Sequence, residues 1–297
     1  MSVATRMPDG HGDPVGLRTW TASLLPALLG TTLPFWLRPP GFAFRWLPAA
    51  ELVAAALLVH TGFSLLATRF RGRATADWTT SRLTWAAAAC IASAGLLGLH
   101  LSAGLRLLPG VPDGVFILYG VATLFAGALY VMPPFSLWRW PGGEVVLAEG
   151  LGMMPVLGAY LVQAGDLTRT VYLASLPLVV ATGLWVWTDE LATRQQDETT
   201  GRGTMVALFP LRVSGRYMTL LLTLLLYATL AGAALGRASL PPLALLGLVS
   251  LWPALKVVAI AWNDYADGMQ MLRARRYARL THFVVGTVVV FSCFQPR

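Results

Sequence analysis

The chain has 297 residues, 56% of them hydrophobic and 12% charged, with a mean hydropathy of +0.63. Soluble domains carry about 25% charged residues, so this composition excludes a soluble fold and points to helices that satisfy their own backbone inside a bilayer. The net charge of +8 is almost wholly arginine, with Lys256 the single lysine, and reads as topology and contact with anionic lipid, not nucleic-acid binding. Cys90 and Cys293 both fall inside apolar runs and are too few for a disulfide framework or a zinc site.

In chain order, residues 1–17 form a polar, Gly/Pro-rich tail in which no cleavable leader is expected. Nine apolar runs follow, at 19–37, 48–68, 83–104, 114–133, 144–164, 170–188, 217–236, 239–262 and 277–294. Each approaches the roughly 20 residues that cross a bilayer. The seventh and eighth are separated only by a short turn around Gly236 to Pro242. Placing the N-terminus in the cytoplasm puts Arg69, Arg71, Arg73 and Arg82, then Arg139, then Arg194, Arg202, Arg212 and Arg216, then Arg273, Arg275, Arg276 and Arg279 in inner loops, against Arg38, Arg45, Arg106, Arg169 and Arg237 in outer ones. That excess on one side predicts the N-terminus inside and the C-terminus outside. No linker divides the chain, so residues 1–297 read as a single all-α transmembrane domain.

The second run ends in LLVHTGFSLLATRFRGRATAD, where His60, Ser64, Thr68 and Arg71 recur at helical spacing and form one polar face. Such a stripe inside a span faces a bundle interior or a cavity. Arg71 and Arg73 gather nearby, and arginine forks match phosphate oxygens in pairs. Anchoring on the positive side is the plainer reading; it accounts for Arg69 well and for Arg71 less well. The fourth run carries Tyr119, Thr123, Gly127 and Tyr130, and stops at a double proline. Glu144 then opens the fifth run, either as a carboxylate cap at the helix start or as a functional group.

The sixth run continues without a break into WTDELATRQQDETTGRGT, Trp187 to Thr204. Asp189, Thr193 and Asp197 lie on one face if the helix continues, and Glu190 adds a further carboxylate. Acids where a bilayer helix meets water are costly and often serve a cation. Mg²⁺ suits them, since it takes one or two carboxylates plus a substrate's phosphate oxygens; a solvated, charged loop is the alternative. The eighth run holds Lys256 and then WNDYAD with Asn263, Asp264 and Asp267. Lys256 is read either as a partner for phosphate or as a side chain snorkelling to the nearby surface.

Taken together, these segments resemble the UbiA superfamily of intramembrane prenyltransferases, and within it the MenA-like branch. The resemblance rests on LRTWTASLLPALLGTTL, on ALYVMPPFSLWRWPGGEVV with PVLGAYLVQAG, on TDELATRQQDETTGRGT and on MLRARRYARLTHFVVG. It implies nine helices around a central cavity with a cytoplasmic mouth. It also implies transfer of a polyprenyl group from a diphosphate, held by Mg²⁺ and two aspartate-rich motifs, to an aromatic acceptor. At the first motif this chain has Ser64, Ala67, Thr68 and Arg71; at the second, Asp189 and Glu190 stand where an Asn pair is usual, Thr193 replaces an Asp, and Asp197 and Arg202 match.

On this resemblance Asp189, Glu190 and Asp197 are the expected metal ligands and catalytic carboxylates, with Tyr130 beside them. Arg71, Arg73, Arg202 and Lys256 would hold the diphosphate. His60, Ser64, Thr68, Trp187, Asn263 and Asp264 would line the cavity. The expected activity is prenyl transfer to an aromatic acceptor of lipoquinone (menaquinone) type at a bacterial inner membrane. A non-catalytic isoprenoid- or partner-binding protein and a terpene cyclase on the same scaffold remain the alternatives.

Overall fold

The computed structural model describes residues 17–39, 41–72, 75–105, 114–199, 201–236 and 239–295. The described residues contain helices and connecting turns, with no strand. In order the helices are α1 (Thr21–Leu37), α2 (Trp46–Phe70), α3 (Thr80–Leu105), α4 (Val115–Val131), α5 (Gly143–Gly152), α6 (Met154–Ala164), α7 (Arg169–Thr199), α8 (Met205–Leu208), α9 (Thr219–Leu235), α10 (Leu251–Asn263) and α11 (Gly268–Ser292). Among the described residues six stretches are long and apolar enough to cross a membrane: Trp46–Phe70, Thr80–Leu105, Gly143–Ala164, Arg169–Thr199, Val213–Leu235 and Pro242–Asn263. Thr21–Leu37 and Val115–Val131 are apolar but shorter. The protein is an all-helical integral membrane protein.

Several runs are less regular than the hydropathy pattern predicts. The 144–164 run is two helices, because Pro155 sits in the first turn of α6 and cannot donate to the preceding turn. The Tyr119 hydroxyl donates to the Met154 carbonyl at this break. The 239–262 run begins as a tight 3₁₀ stretch, Pro242–Ser250, before widening into α10. A π-helical turn, Val213–Met218, leads into α9. The 170–188 run does not stop at residue 188: α7 carries the helix through the acidic segment to Thr199.

α7 is the hub. It packs against α11, α9 and α5, while α1 lies along α6 and α2 along α3. Ala174, Leu178, Ala181 and Leu184 of α7 are buried among Leu226 and Leu230 of α9 and Val285 and Val289 of α11. Large apolar side chains instead face outward on the periphery, Trp85 at 74%, Leu118 at 71% and Val249 at 71% exposed. An exposed apolar surface of this extent suits contact with lipid chains.

The α1–α6 contact depends on a missing side chain. A Cβ on Gly30 would stand 2.1 Å from the Val156 carbonyl oxygen and 2.7 Å from the Ala159 Cβ. Gly30→Ala is therefore expected to lower stability by about 1–3 kcal/mol, the usual cost of overpacking. Gly95, with nothing within 4 Å of its Cβ position, should tolerate Ala or gain slightly from helix propensity. Thermal unfolding of the two variants in the same detergent checks the contrast.

Candidate functional site

A cavity of about 710 Å³ opens between α2, α3, α4, the kinked α5–α6 pair and α7. Most of its wall is apolar, including Leu52, Val59, Phe63, Phe116 and Leu124. Polar side chains gather at one end, where Arg71, Tyr130, Asp189, Glu190, Arg202 and Arg279 contribute. Helix geometry sets these choices. On α2 the cavity face runs His60, Ser64, Ala67 and Arg71, and on α7 it runs Thr182, Trp185, Val186, Asp189 and Glu190.

Arg202 organises the polar end. Its Nη2 donates to Glu190 Oε1 at 2.9 Å, and its Nη1 donates to both Asp197 oxygens at 3.3 and 3.2 Å. Its Nε donates to the Trp138 carbonyl at 2.8 Å. The ion pairs are largely dry, with side-chain exposures of 13% for Arg202, 5% for Glu190 and 11% for Asp197. Burial works against the Arg202 charge, but Glu190 and Asp197 outweigh it and hold the guanidinium above its ordinary range. Thr193 donates to Asp197 Oδ2 at 2.9 Å from the same face of α7. Asp189 turns the other way and accepts from Arg275 of α11 at 2.6 Å.

Trp138 is the second centre. The guanidinium groups of Arg71, Arg139 and Arg202 stand 4.9, 5.0 and 5.4 Å from its ring. Glu144 holds the neighbouring backbone, accepting from Gly142 N at 3.0 Å and from Met205 N at 2.7 Å. It caps the start of α5 as expected and also ties that start to α8.

The structure brings together Arg71, Tyr130, Asp189, Glu190 and Arg202 around the polar end, with His60 and Ser64 further along the wall. Arg73 lies outside the described residues. Other expectations require correction. Thr68 falls just off the cavity face, where Ala67 stands instead, and its hydroxyl donates to the Ser64 carbonyl. Trp187 is buried in the core with its indole donating to Ser214 O at 3.0 Å; Trp185, half a turn away, lines the cavity. α10 buries Pro253, Ala254, Val257 and Ala261, which leaves Lys256, Asn263 and Asp264 exposed on another face and off the cavity. The WNDYAD segment is a helix junction, in which Asp267 caps α11 by accepting from Met269 N and Gln270 N. Trp138, Arg275 and Arg279 were not foreseen. Trp138 reads from sequence as an interfacial anchor, and the two arginines read as positive-side charges.

The expected ligand set Asp189, Glu190 and Asp197 does not converge. One carboxylate is committed to Arg275 and two to Arg202. No group of three or more His, Cys, Asp or Glu among the described residues could hold a metal ion. In this arrangement the donor set does not fit a divalent cation.

No protein-family model and no curated protein matches the chain. Solved structures do. A UbiA homologue from Aeropyrum pernix K1 is similar with a TM-score of 0.64 at 18% identity, over 93% of this chain and 98% of that one. A UbiA homologue from Archaeoglobus fulgidus bound to GPP and Mg²⁺ gives 0.60 at 11% identity, over 94% and 99%. A digeranylgeranylglyceryl phosphate synthase gives 0.60 at 11% identity, over 94% and 98%. The chain thus has the fold of these UbiA homologues along nearly its whole length.

Removing Arg202 leaves Glu190 and Asp197 buried without their counter-ion. Arg202→Ala is expected to cost about 3–5 kcal/mol, the usual penalty for breaking a buried pair from one side. Adding Glu190→Gln and Asp197→Asn should recover much of that loss. Thermal unfolding of the single and triple variants measures both.

Proposed function

We propose that the chain is a membrane prenyltransferase that binds a prenyl diphosphate with its tail in the apolar cavity and its headgroup at the arginine end. The observation that carries this reading is one cavity that is apolar along most of its length and is also lined by Arg71, Arg202 and Arg279. The likeness to a homologue bound to GPP and Mg²⁺ supports the same ligand class.

In the reaction the allylic C1–O bond breaks, and its electron pair leaves on the diphosphate oxygen. Guanidinium groups aimed at that oxygen stabilise the charge as it develops. The allylic cation faces Tyr130 and Trp185, whose rings screen positive charge. An electron-rich aromatic ring then attacks C1 and releases a ring proton to the departing diphosphate. Mg²⁺ belongs to the family expectation, but Asp189, Glu190 and Asp197 are engaged by arginines here and no step is assigned to it. A MenA-like, lipoquinone-type acceptor, nine spans, an N-terminus in the cytoplasm of a bacterial inner membrane and a cytoplasm-facing mouth complete the proposal.

A second reading is a non-catalytic isoprenoid-binding protein. The specific observation favouring it is the engagement of both second-motif carboxylates by Arg202. Labelled prenyl diphosphate with membranes and a panel of phenolic and naphthoic acceptors separates the readings. A lipid-soluble adduct is expected; a hydrocarbon product would indicate a cyclase, and binding with no product the non-catalytic protein. For topology, a reporter fused after residue 110 should be periplasmic and one fused after residue 205 cytoplasmic. The reverse pattern would put the arginine end on the wrong side of the membrane.

A further inference from the structure

Of the three arginines over the Trp138 ring, the two that line the cavity, Arg71 and Arg202, are in different states. Arg202 is engaged at all three of its nitrogens: Nε donates to Trp138 O, Nη1 to the two Asp197 oxygens and Nη2 to Glu190. Arg71 ends α2 with its guanidinium 4.9 Å from the centre of that ring and lines the cavity. Its Nε is buried with no hydrogen-bond partner, and no carboxylate of the described residues pairs with it. One guanidinium therefore fills the carboxylate cradle, and the other is presented to the cavity with donor capacity to spare.

We propose that this end of the cavity is a cation-free diphosphate site, in which Arg202 locked between Glu190 and Asp197 excludes a divalent metal and Arg71 meets the phosphate oxygens directly. The choice of diphosphate rests on the reading in the preceding section; the exclusion of metal does not. The physical ground is charge. Glu190 Oε2 is the cradle oxygen left without a partner, and a divalent cation bound there would sit beside the Arg202 guanidinium and be repelled. The third carboxylate, Asp189, is drawn away by Arg275 at 2.6 Å. At the place of the family's metal-binding aspartate, Arg71 supplies positive charge from the protein itself, in a fork that matches phosphate oxygens.

The test uses the full-length protein in nanodiscs with two probes. The first is Mn²⁺ alone, followed by electron paramagnetic resonance. The wild-type protein is expected to bind no Mn²⁺ at this site. Arg202→Gln should gain one bound Mn²⁺, and adding Glu190→Gln and Asp197→Asn should abolish it. Mn²⁺ bound by the wild-type chain and lost in Glu190→Gln/Asp197→Asn overturns the exclusion, as does a folded Arg202→Gln that gains none. If Arg202→Gln does not fold, the wild-type and Glu190→Gln/Asp197→Asn measurements decide alone. The second probe is geranyl diphosphate, titrated with Mg²⁺ and with a chelator. Equal affinity in the two conditions, falling about tenfold or more in Arg71→Gln, is expected. A strict requirement for Mg²⁺, or an unaltered Arg71→Gln, overturns direct binding. Absence of geranyl diphosphate binding in both conditions sinks the prenyltransferase reading and the role of Arg71, while the Mn²⁺ results still decide what Arg202 does.

Discussion

The fork of Arg202 between Glu190 and Asp197 is the interaction on which the polar end of this molecule depends. It joins the C-terminal turns of α7 to the 137–142 turn through the Trp138 carbonyl, and Gly203 N reinforces the junction by donating to Arg139 O at 3.0 Å. Glu144 closes the other side by binding backbone N–H groups of residues 142 and 205. Burying an ion pair contributes little net stability, because desolvation offsets most of the attraction. Its effect here is positional. A guanidinium with a planar set of donors accepts few arrangements of two carboxylates and a carbonyl, so it fixes three chain segments relative to one another.

That fixed frame sets what the cavity offers a ligand. Along most of its length the wall gives only dispersion contacts and apolar burial, which hold a hydrocarbon chain without directing it. A second polar cluster interrupts it, where His60 bonds the Ser23 hydroxyl at 2.8 Å and the Thr19 hydroxyl at 2.9 Å. The imidazole is thus engaged on both ring nitrogens and behaves as a strut between α2 and the start of α1. The charged groups instead gather where Trp138 meets three guanidinium groups. An indole face attracts cations and lets the arginines crowd more closely than bare charges would.

The sequence made the helical runs and most of the cavity face of α2 legible, because both follow from period and hydropathy. His60, Ser64 and Arg71 share one face for the same reason. What it could not give was pairing across distant segments. Asp189 and Asp197 are eight residues apart on one helix, and nothing in that spacing says that one meets Arg275 and the other Arg202. Nor does hydropathy distinguish Trp185 from Trp187 or assign Lys256 a face, since those depend on which neighbours α7 and α10 acquire. The kink at Pro155 was readable from the proline, yet the 144–164 run looked continuous because its apolar content never falls.

The length of α7 explains how charges and an apolar cavity coexist. Its 31 residues span about 46 Å at 1.5 Å per residue, against a hydrocarbon core about 30 Å thick. Counting from the apolar start at residue 171, the hydrocarbon portion is used up near Asp189 and Glu190, and the turns that carry Asp197 project beyond it. Lipid therefore does not bury Glu190 and Asp197; the protein does. The 137–142 turn, the 201–209 segment and the first turns of α11 fold over the extension, and Arg194 helps by donating to the Val206 and Phe209 carbonyls at 3.0 and 3.2 Å. A carboxylate in that position must find its counter-charge in the protein or in something that enters with it. In this chain the counter-charges of Asp189, Glu190 and Asp197 are built in, as Arg275 and Arg202.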